Sequence, residues 1–214
     1  LDDVEWKVKE HMAITNGYAS LNQVKAALRI SDNVDDALLE MAVESASRLI
    51  DGYCGRSFYS QGTAVKVYAP DNPYVVQIDD LSSSTVTVKT SSDADQNYDT
   101  TWGVNDIQLE PLNGRTEGQA WPYTRIRAIG DYLFPSDDYG EATVQVTGVF
   151  GWPGGVPTNV TQATVIQASR IFKRLDSPLG VAGFGEMGAM RVGRGLDPDV
   201  AQLVEPYRKM NGIG

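Results

Sequence analysis

An α+β fold, a helical bundle built from N- and C-terminal helices with an inserted antiparallel β-sandwich or barrel module, is what the residue pattern predicts. Apolar residues recur every three or four positions up to about residue 55 and again after residue 157, which is helical spacing. Between these stretches short runs alternate with period two and are bounded by Gly, Pro, Asn, Asp or Ser, the pattern of antiparallel strands with one wet face. The order is therefore helix, helix, strands, helix, helix. The 214 residues are 42% apolar, enough for a buried core. The predicted parts are an N-terminal arm (1–17), the first half of the helical part (18–55), the β insert (56–152), the second helical half (153–178), and a Gly-rich loop with a C-terminal docking helix (179–214).

Residues 1–17 read as a loosely held arm. Val4, Trp6 and Val8 alternate as in a strand, while the interspersed charges suit a helix equally well. Ser20 then caps a short helix carrying Leu21, Val24, Ala27 and Leu28 at helical spacing. Ser31-Asp32-Asn33 breaks it and caps a longer helix whose apolar stripe is read as Val34, Leu38, Met41, Ala42, Leu49 and Tyr53. Asp35 and Asp36 fall in its first turn, where the helix dipole favours negative charge. Gly52 and Gly55 terminate it. Six strands follow, over residues 63–68, 74–78, 85–90, 106–110, 124–129 and 142–149. Trp152-Pro153-Gly154-Gly155 turns the last of them toward a third helix capped by Thr158 or Asn159, with Val160, Thr164, Gln167/Ala168, Ile171 and Leu175 facing inward. After Asp176-Ser177-Pro178 comes the Gly-rich loop. The last helix starts at Asp197-Pro198, with Asp as cap and Pro at the first helical position, and Val200, Leu203, Val204 and Tyr207 form its stripe.

The composition narrows the chemistry. One Cys, Cys54, and one His, His11, permit no intramolecular disulfide and leave few soft ligands for zinc. They would also have to form any Cys–His pair, or supply the His of a triad, and no Gly-x-Ser-x-Gly elbow presents a serine. Gly183-Phe184-Gly185-Glu186-Met187-Gly188 matches a dinucleotide-binding string but follows a helix instead of a strand, so no phosphate would meet a helix N-terminus there. Its glycines raise the entropy cost of ordering the loop unaided, which suits a loop that orders against another subunit. The acidic clusters Asp79-Asp80, Asp93/Asp95 and Asp137-Asp138 lack the spacing of a calcium loop. No catalytic, cofactor-binding or metal-binding residue is therefore assigned. No run of apolar residues reaches membrane-spanning length. The acidic start, Leu1-Asp2-Asp3, lacks the pattern of a signal peptide, and without an initiator Met the natural chain is expected to begin earlier. Net charge is −10, which opposes binding to nucleic acid by counterion release. Only residues 158–214 are basic, through Arg170, Lys173, Arg174, Arg191, Arg194, Arg208 and Lys209. They are either a solvated helix face or a surface for an acidic partner.

Three blocks of residues carry a family resemblance. Residues 21–32 (LNQVKAALRISD), 36–39 (DALL) and 50–58 (IDGYCGRSF) resemble the opening of head–tail connector adaptors of tailed phages. Residues 146–153 (VTGVFGWP), 160–164 (VTQAT) and 169–174 (SRIFKR) resemble their strand-to-helix junction. Residues 177–186 (SPLGVAGFGE), 196–200 (LDPDV) and 206–208 (PYR) resemble the C-terminal arm of adaptors from phages of actinobacteria. The resemblance covers about residues 18–60 and 141–210 and leaves the arm and most of the insert unmatched.

The resemblance implies a non-enzymatic virion subunit at the head–tail junction, assembled in the host cytoplasm. Its implied partners are copies of itself in a ring, expected to be dodecameric, the portal protein above, and a stopper or tail-terminator protein below. Double-stranded DNA passes through the channel without specific binding, and no membrane is involved. Portal contacts are expected from Leu179, Val181, Phe184, Met187, Met190, Arg191, Arg194, Leu203, Tyr207 and Arg208. Contacts between subunits or toward the tail are expected from Trp6, Trp102 and Trp121, which otherwise serve as core or corner packing. Rival readings are another connector component, such as a stopper or tail-completion protein, or a glycan- or receptor-binding β module using Trp102 and Trp121.

Overall fold

The computed structural model describes residues 14–93, 95–113, 115–116, 119–136, 140–175, 181–185, 188–191 and 196–209, with backbone alone at 115–116, 119, 175, 181–185 and 188–191. The chain divides into two compact units, one of residues 1–55 with 157–214 and the other of residues 56–156.

In the helical unit, α1 (Leu21–Leu28) begins at Ser20, whose hydroxyl accepts from the Gln23 backbone N–H while the Gln23 side chain accepts from the Ser20 N–H. This reciprocal box satisfies two otherwise unpaired donors. The helix ends at Arg29, which takes a left-handed conformation (φ 60°). α2 (Asp36–Cys54) starts after a turn in which Asp32 accepts from the Val34 N–H, and Asp36 in its first turn pairs with Lys25 at 2.6 Å. Gly55, at φ 66°, closes it in the left-handed region that glycine enters without strain.

The buried face of α2 differs from the one read in the sequence. Leu39, Ala42, Val43, Ala46, Ser47, Ile50 and Cys54 are buried, whereas Val34, Leu38, Met41 and Leu49 are exposed. The region has apolar residues on two faces, and α1 and α3 (Thr158–Leu175) pack on the one where Ala42 and Ala46 permit close approach. Ala19, Val24, Leu39, Val43 and Ala168 share one apolar cluster, with Val165, Ile171 and Phe172 against it. α3 buries Val160, Ala163, Thr164, Gln167 and Ala168. It begins at Thr158 directly after Pro157, whose carbonyl accepts from the Thr161 N–H. α4 (Pro198–Val204) has the predicted start, with the Asp197 carboxylate accepting from the Asp199 N–H and Pro198 at the first helical position. A 3-10 turn over Glu205–Tyr207 follows.

The strand unit contains β1 (Ser60–Tyr68), β2 (Val75–Leu81), β3 (Thr87–Thr90), β4 (Thr100–Thr101), β5 (Ile107–Glu110), β6 (Arg115–Thr116), β7 (Gln119–Ala120), β8 (Tyr123–Ala128) and β9 (Val144–Gly151). Seven of them form one antiparallel sheet ordered β4-β3-β9-β2-β8-β5, with β1 also on β9, while β6 pairs only with β7. Along one edge of β9 runs β1, from Ser60 opposite Gly151 to Tyr68 opposite Val144. The other edge is shared, by β3 at Val144 to Thr147 and by the end of β2 at Phe150. The result is one curled antiparallel sheet of half-barrel form, not two stacked sheets. Val144, Val146 and Phe150 of β9 point into its core with Val76, Leu81, Val88 and Ile126. At Gly151 (φ 108°) a Cβ would lie 2.2 Å from the Tyr59 carbonyl oxygen, so only glycine fits this bulge against β1. At Gly148 a Cβ would meet Leu81 Cδ1 at 2.6 Å.

The Gly-rich segment, read from sequence as a loop, contains a hairpin. β10 (Val181–Gly185) pairs antiparallel with β11 (Gly188–Arg191), Val181 opposite Arg191 and Gly185 opposite Gly188. Strands of five and four residues so rich in glycine leave little alternation for a sequence pattern to register.

Two outcomes are expected. Ile50→Ala destabilises the helical unit by about 2–5 kcal/mol through the cavity it leaves, whereas Met41→Ala stays within about 0.5 kcal/mol, as urea unfolding followed by circular dichroism will show. In the sheet, Glu110 accepts from Arg127 Nε at 2.7 Å and lies 3.3 Å from Arg125. The hydrogen bond from Arg127, partly opposed by burial, holds its carboxyl below the ordinary 4.5. A lowered folded-state value means stability fully present above about pH 4.5 and lost as pH falls through the folded value. Because both guanidinium groups are half-exposed, Glu110→Gln is expected to remove only about 1 kcal/mol at neutral pH. It should also flatten the acid limb of stability, read by tryptophan fluorescence.

Candidate assembly surfaces

The candidate surfaces begin at the C-terminal end, where α4 is fastened to its own unit. Val200, Val204 and Tyr207 are buried. Gln167 of α3 accepts from the Asp197 N–H at 3.2 Å, and Arg170 pairs with the Asp197 carboxylate. At the end of α2, the Lys209 N–H donates to the Cys54 carbonyl at 2.8 Å, and the Cys54 thiol lies 3.7 Å from the Val204 carbonyl. The Tyr53 hydroxyl donates to Glu205, which pushes the phenol above its ordinary value, and Arg208 sits 5.3 Å from the Tyr53 ring centroid. The last helix is thereby positioned by two others, and the hairpin precedes it.

The expected portal contacts are distributed over this segment. Val181 and Phe184 lie on β10, and Met190 and Arg191 on β11. Leu203 is half-buried on α4, Arg208 is exposed, and Tyr207 is 5% exposed, its ring spent on the chain's own packing. Leu179, Met187 and Arg194 lie outside the described residues, as does Trp6. Backbone pairing thus brings Val181 opposite Arg191, and the structure adds a hairpin frame that the sequence reading missed.

Trp102 and Trp121 are not brought together. Trp102 is 8% exposed, stacks on Phe134 with centroids 4.6 Å apart, and donates its indole N–H to Thr90 at 3.0 Å. A ring so enclosed offers no face to a sugar. Trp121 is half-buried and meets Trp152 edge-on at 5.1 Å, and Phe58 lies 5.1 Å from Trp152. The Arg56 guanidinium sits 5.8 Å from the Trp121 ring and 5.4 Å from the Trp152 ring, with Asp80 at 3.6 Å from its Nε. Both charged side chains are almost fully buried. Two aromatic faces and one carboxylate therefore surround a single guanidinium, an arrangement that suits arginine's planar, weakly hydrated cation. Beside it opens a cavity of about 700 Å³ lined by Ser82, Ser84, Leu112, Asn113, Ala120, Trp121, Tyr123, Pro153 and Gly154.

Two absences concern described residues alone. No group of three His, Cys, Asp or Glu is placed to hold a metal, and no helix is long and apolar enough to cross a membrane.

Asp80 is the test of the buried cage. Asp80→Ala is expected to destabilise the sheet unit by about 3–5 kcal/mol, because it removes a carboxylate that compensates the buried Arg56 charge. The double variant Arg56→Met/Asp80→Leu is expected to lose less than the single one, since no uncompensated charge remains. Urea unfolding monitored by tryptophan fluorescence distinguishes the two.

Comparison with known proteins is consistent with this architecture. A family model described as phage gp6-like head-tail connector protein matches residues 18–101, which span α1, α2 and the sheet through β4. No curated protein matches the chain. Among solved structures, a chain from the neck of an empty gene transfer agent particle, computed with C6 symmetry, shares the fold at TM-score 0.57 and 17% identity. That match covers 94% of this chain and 95% of the other. A chain of the native gene transfer agent virion matches at TM-score 0.55 and 19% identity, covering 94% and 95%. Another, from the native particle's neck computed with C12 symmetry, matches at TM-score 0.52 and 18% identity, covering 93% and 97%. Its helical opening and first strands are thus similar to that connector family, and nearly its whole length shares a fold with the neck chains.

Proposed function

We propose that the chain is a structural subunit of a connector ring at the head–tail junction of the virion, docking beneath the portal and joining the capsid to the tail. The match of residues 18–101 to the connector family carries this reading. The shared fold with chains in necks computed with C6 and C12 symmetry favours a ring, dodecameric in the simplest case. We read the four helices as the bundle that builds its wall. Ring contacts of this kind are heterologous and close by rotation. The hairpin and last helix, from about Leu179 to Lys209, dock on the portal, and the far side receives a stopper or tail-terminator protein.

The net charge of −10 suits a passage for double-stranded DNA, because acidic walls repel phosphate. A non-enzymatic role is supported by Cys54, which is fully buried beneath α4 and out of reach of a substrate. A glycan-binding role for the sheet is disfavoured by the enclosure of Trp102.

Electron microscopy of the purified protein mixed with portal rings from the same virus tests the proposal. A collar of density at the portal's narrow end is the expected outcome, and bare portals at saturating protein would remove the reading. Arg191→Glu with Arg194→Glu is expected to weaken co-sedimentation with portal by about tenfold or more, equivalent to losing ~1.4 kcal/mol. Circular dichroism should remain that of the native chain. Unchanged co-sedimentation would move the docking surface elsewhere.

A further inference from the structure

β1 is an edge strand. Among the described residues it pairs with β9 alone, so along its other edge the N–H and C=O groups of alternate residues face no strand. Such an edge recruits another extended segment through main-chain hydrogen bonds unless the fold blunts it with brevity, proline or an unpaired charge. β1 has nine residues, a regular register from Gly62 to Tyr68, and no proline. Its one charge, Lys66, shares the inner face with Ala64 and Tyr68. There it is already met by Asp79, 2.7 Å from its ammonium, which also lies 4.5 Å from the Phe150 ring centroid. The outer face carries exposed Thr63, with Val65 and Val67 59 and 50% exposed.

We infer that this edge receives the N-terminal arm of a neighbouring copy, with residues 4–8 adding as an extra strand beside β1. The inference rests on the ring reading above. The chemistry of the edge selects an extended segment, and the sequence supplies one. Residues 1–13 precede the first described residue, and Val4, Trp6 and Val8 alternate there with Glu5 and Lys7. The other stretches outside the described residues, such as 176–180, 192–195 and 210–214, are short, contain Gly or Pro, and hold no such alternation. Both faces of the two strands match. In one sheet Val4, Trp6 and Val8 continue the apolar outer face of Val65 and Val67, a pairing of aromatic with β-branched side chains that strands favour. Glu5 then falls on the inner face, beside Lys66. The root of the arm is fixed on α2, where Glu44 accepts from the Thr15 and Asn16 N–H groups. An extended arm of that length reaches roughly 45 Å from this point, across to an adjacent subunit. In a closed ring every copy gives one arm and receives another, so no such edge is left open.

The test uses the full chain, with sedimentation and electron microscopy of assembly alone and on portal rings. A benzophenone amino acid in place of Val67, activated by light after assembly, is expected to join β1 to residues 1–9 of a second chain. The product is a dimer-sized band whose linked peptides mass spectrometry identifies. Trp6→Ala and Val65→Lys are each expected to raise the concentration for half-assembly by about tenfold or more, equivalent to ~1.4 kcal/mol. Because Val65 is exposed, the circular dichroism and urea midpoint of Val65→Lys should stay those of the native chain. Adducts confined to single chains would overturn the neighbouring copy as donor, and adducts to another segment would overturn the arm. Normal rings from folded Trp6→Ala and Val65→Lys would overturn the inference while leaving the connector reading intact. A wild-type chain that assembles neither alone nor on portals would remove the connector reading itself, and this inference with it.

Discussion

Leu39, Val43, Ala46, Ile50 and Cys54 line one face of α2, and the helical unit depends on that face being filled from both ends of the chain. α1 covers it from the N-terminal side, α3 from the C-terminal side through Ala168, Val165 and Phe172, and the segment after α4 closes on Cys54. The 19-residue α2 draws most of its stability from tertiary packing of its apolar face, as helices in folded proteins do, and not from propensity alone. Residues more than a hundred positions apart must therefore meet before either end is stable. The polar contacts then fix the register: Ser47 accepts from the Tyr18 N–H at 3.0 Å while donating to the Val43 carbonyl, and Gln167 receives the Asp197 N–H.

The strand unit has its own organising element in β9. One strand serves three neighbours, and its fork between β2 and β3 is what curls the sheet. The two glycines near its end are required by close approach: Gly148 beneath Leu81 and Gly151 against the Tyr59 carbonyl. The buried Arg56–Asp80 pair, held between Trp121 and Trp152, places a charge where an apolar side chain would ordinarily sit. A buried ion pair of this kind is a weak source of stability but demands one geometry of its surroundings, and here those surroundings are the aromatic corner of the sheet.

The helical unit divides into an acidic first half and a basic second one. The acidic residues of α2 are drawn toward their own chain by Lys25, Arg48, Tyr18 and backbone N–H groups. This leaves the exposed face of α2 apolar without making the free surface uniformly so.

The sequence determined the kind and order of the main elements. Ser20, Asp197-Pro198 and Gly55 mark helix ends by local chemistry, and the alternation through Val144, Val146 and Phe150 marks a half-buried strand. The first block of family-like residues, within 21–58, was also legible there, because it is made of local strings. Tertiary structure decided which face of α2 turns inward, because Val34, Leu38, Met41 and Leu49 follow helical spacing as well as Leu39, Val43, Ala46 and Ile50 do. Only the packing of α1 and α3 chooses between two such stripes. It likewise decided that Trp102 is enclosed by Phe134 and Thr90, that β4 exists through pairing with β3 alone, and that glycines 183, 185 and 188 belong to a hairpin. Each of these depends on contacts or pairings that no short window of residues encodes.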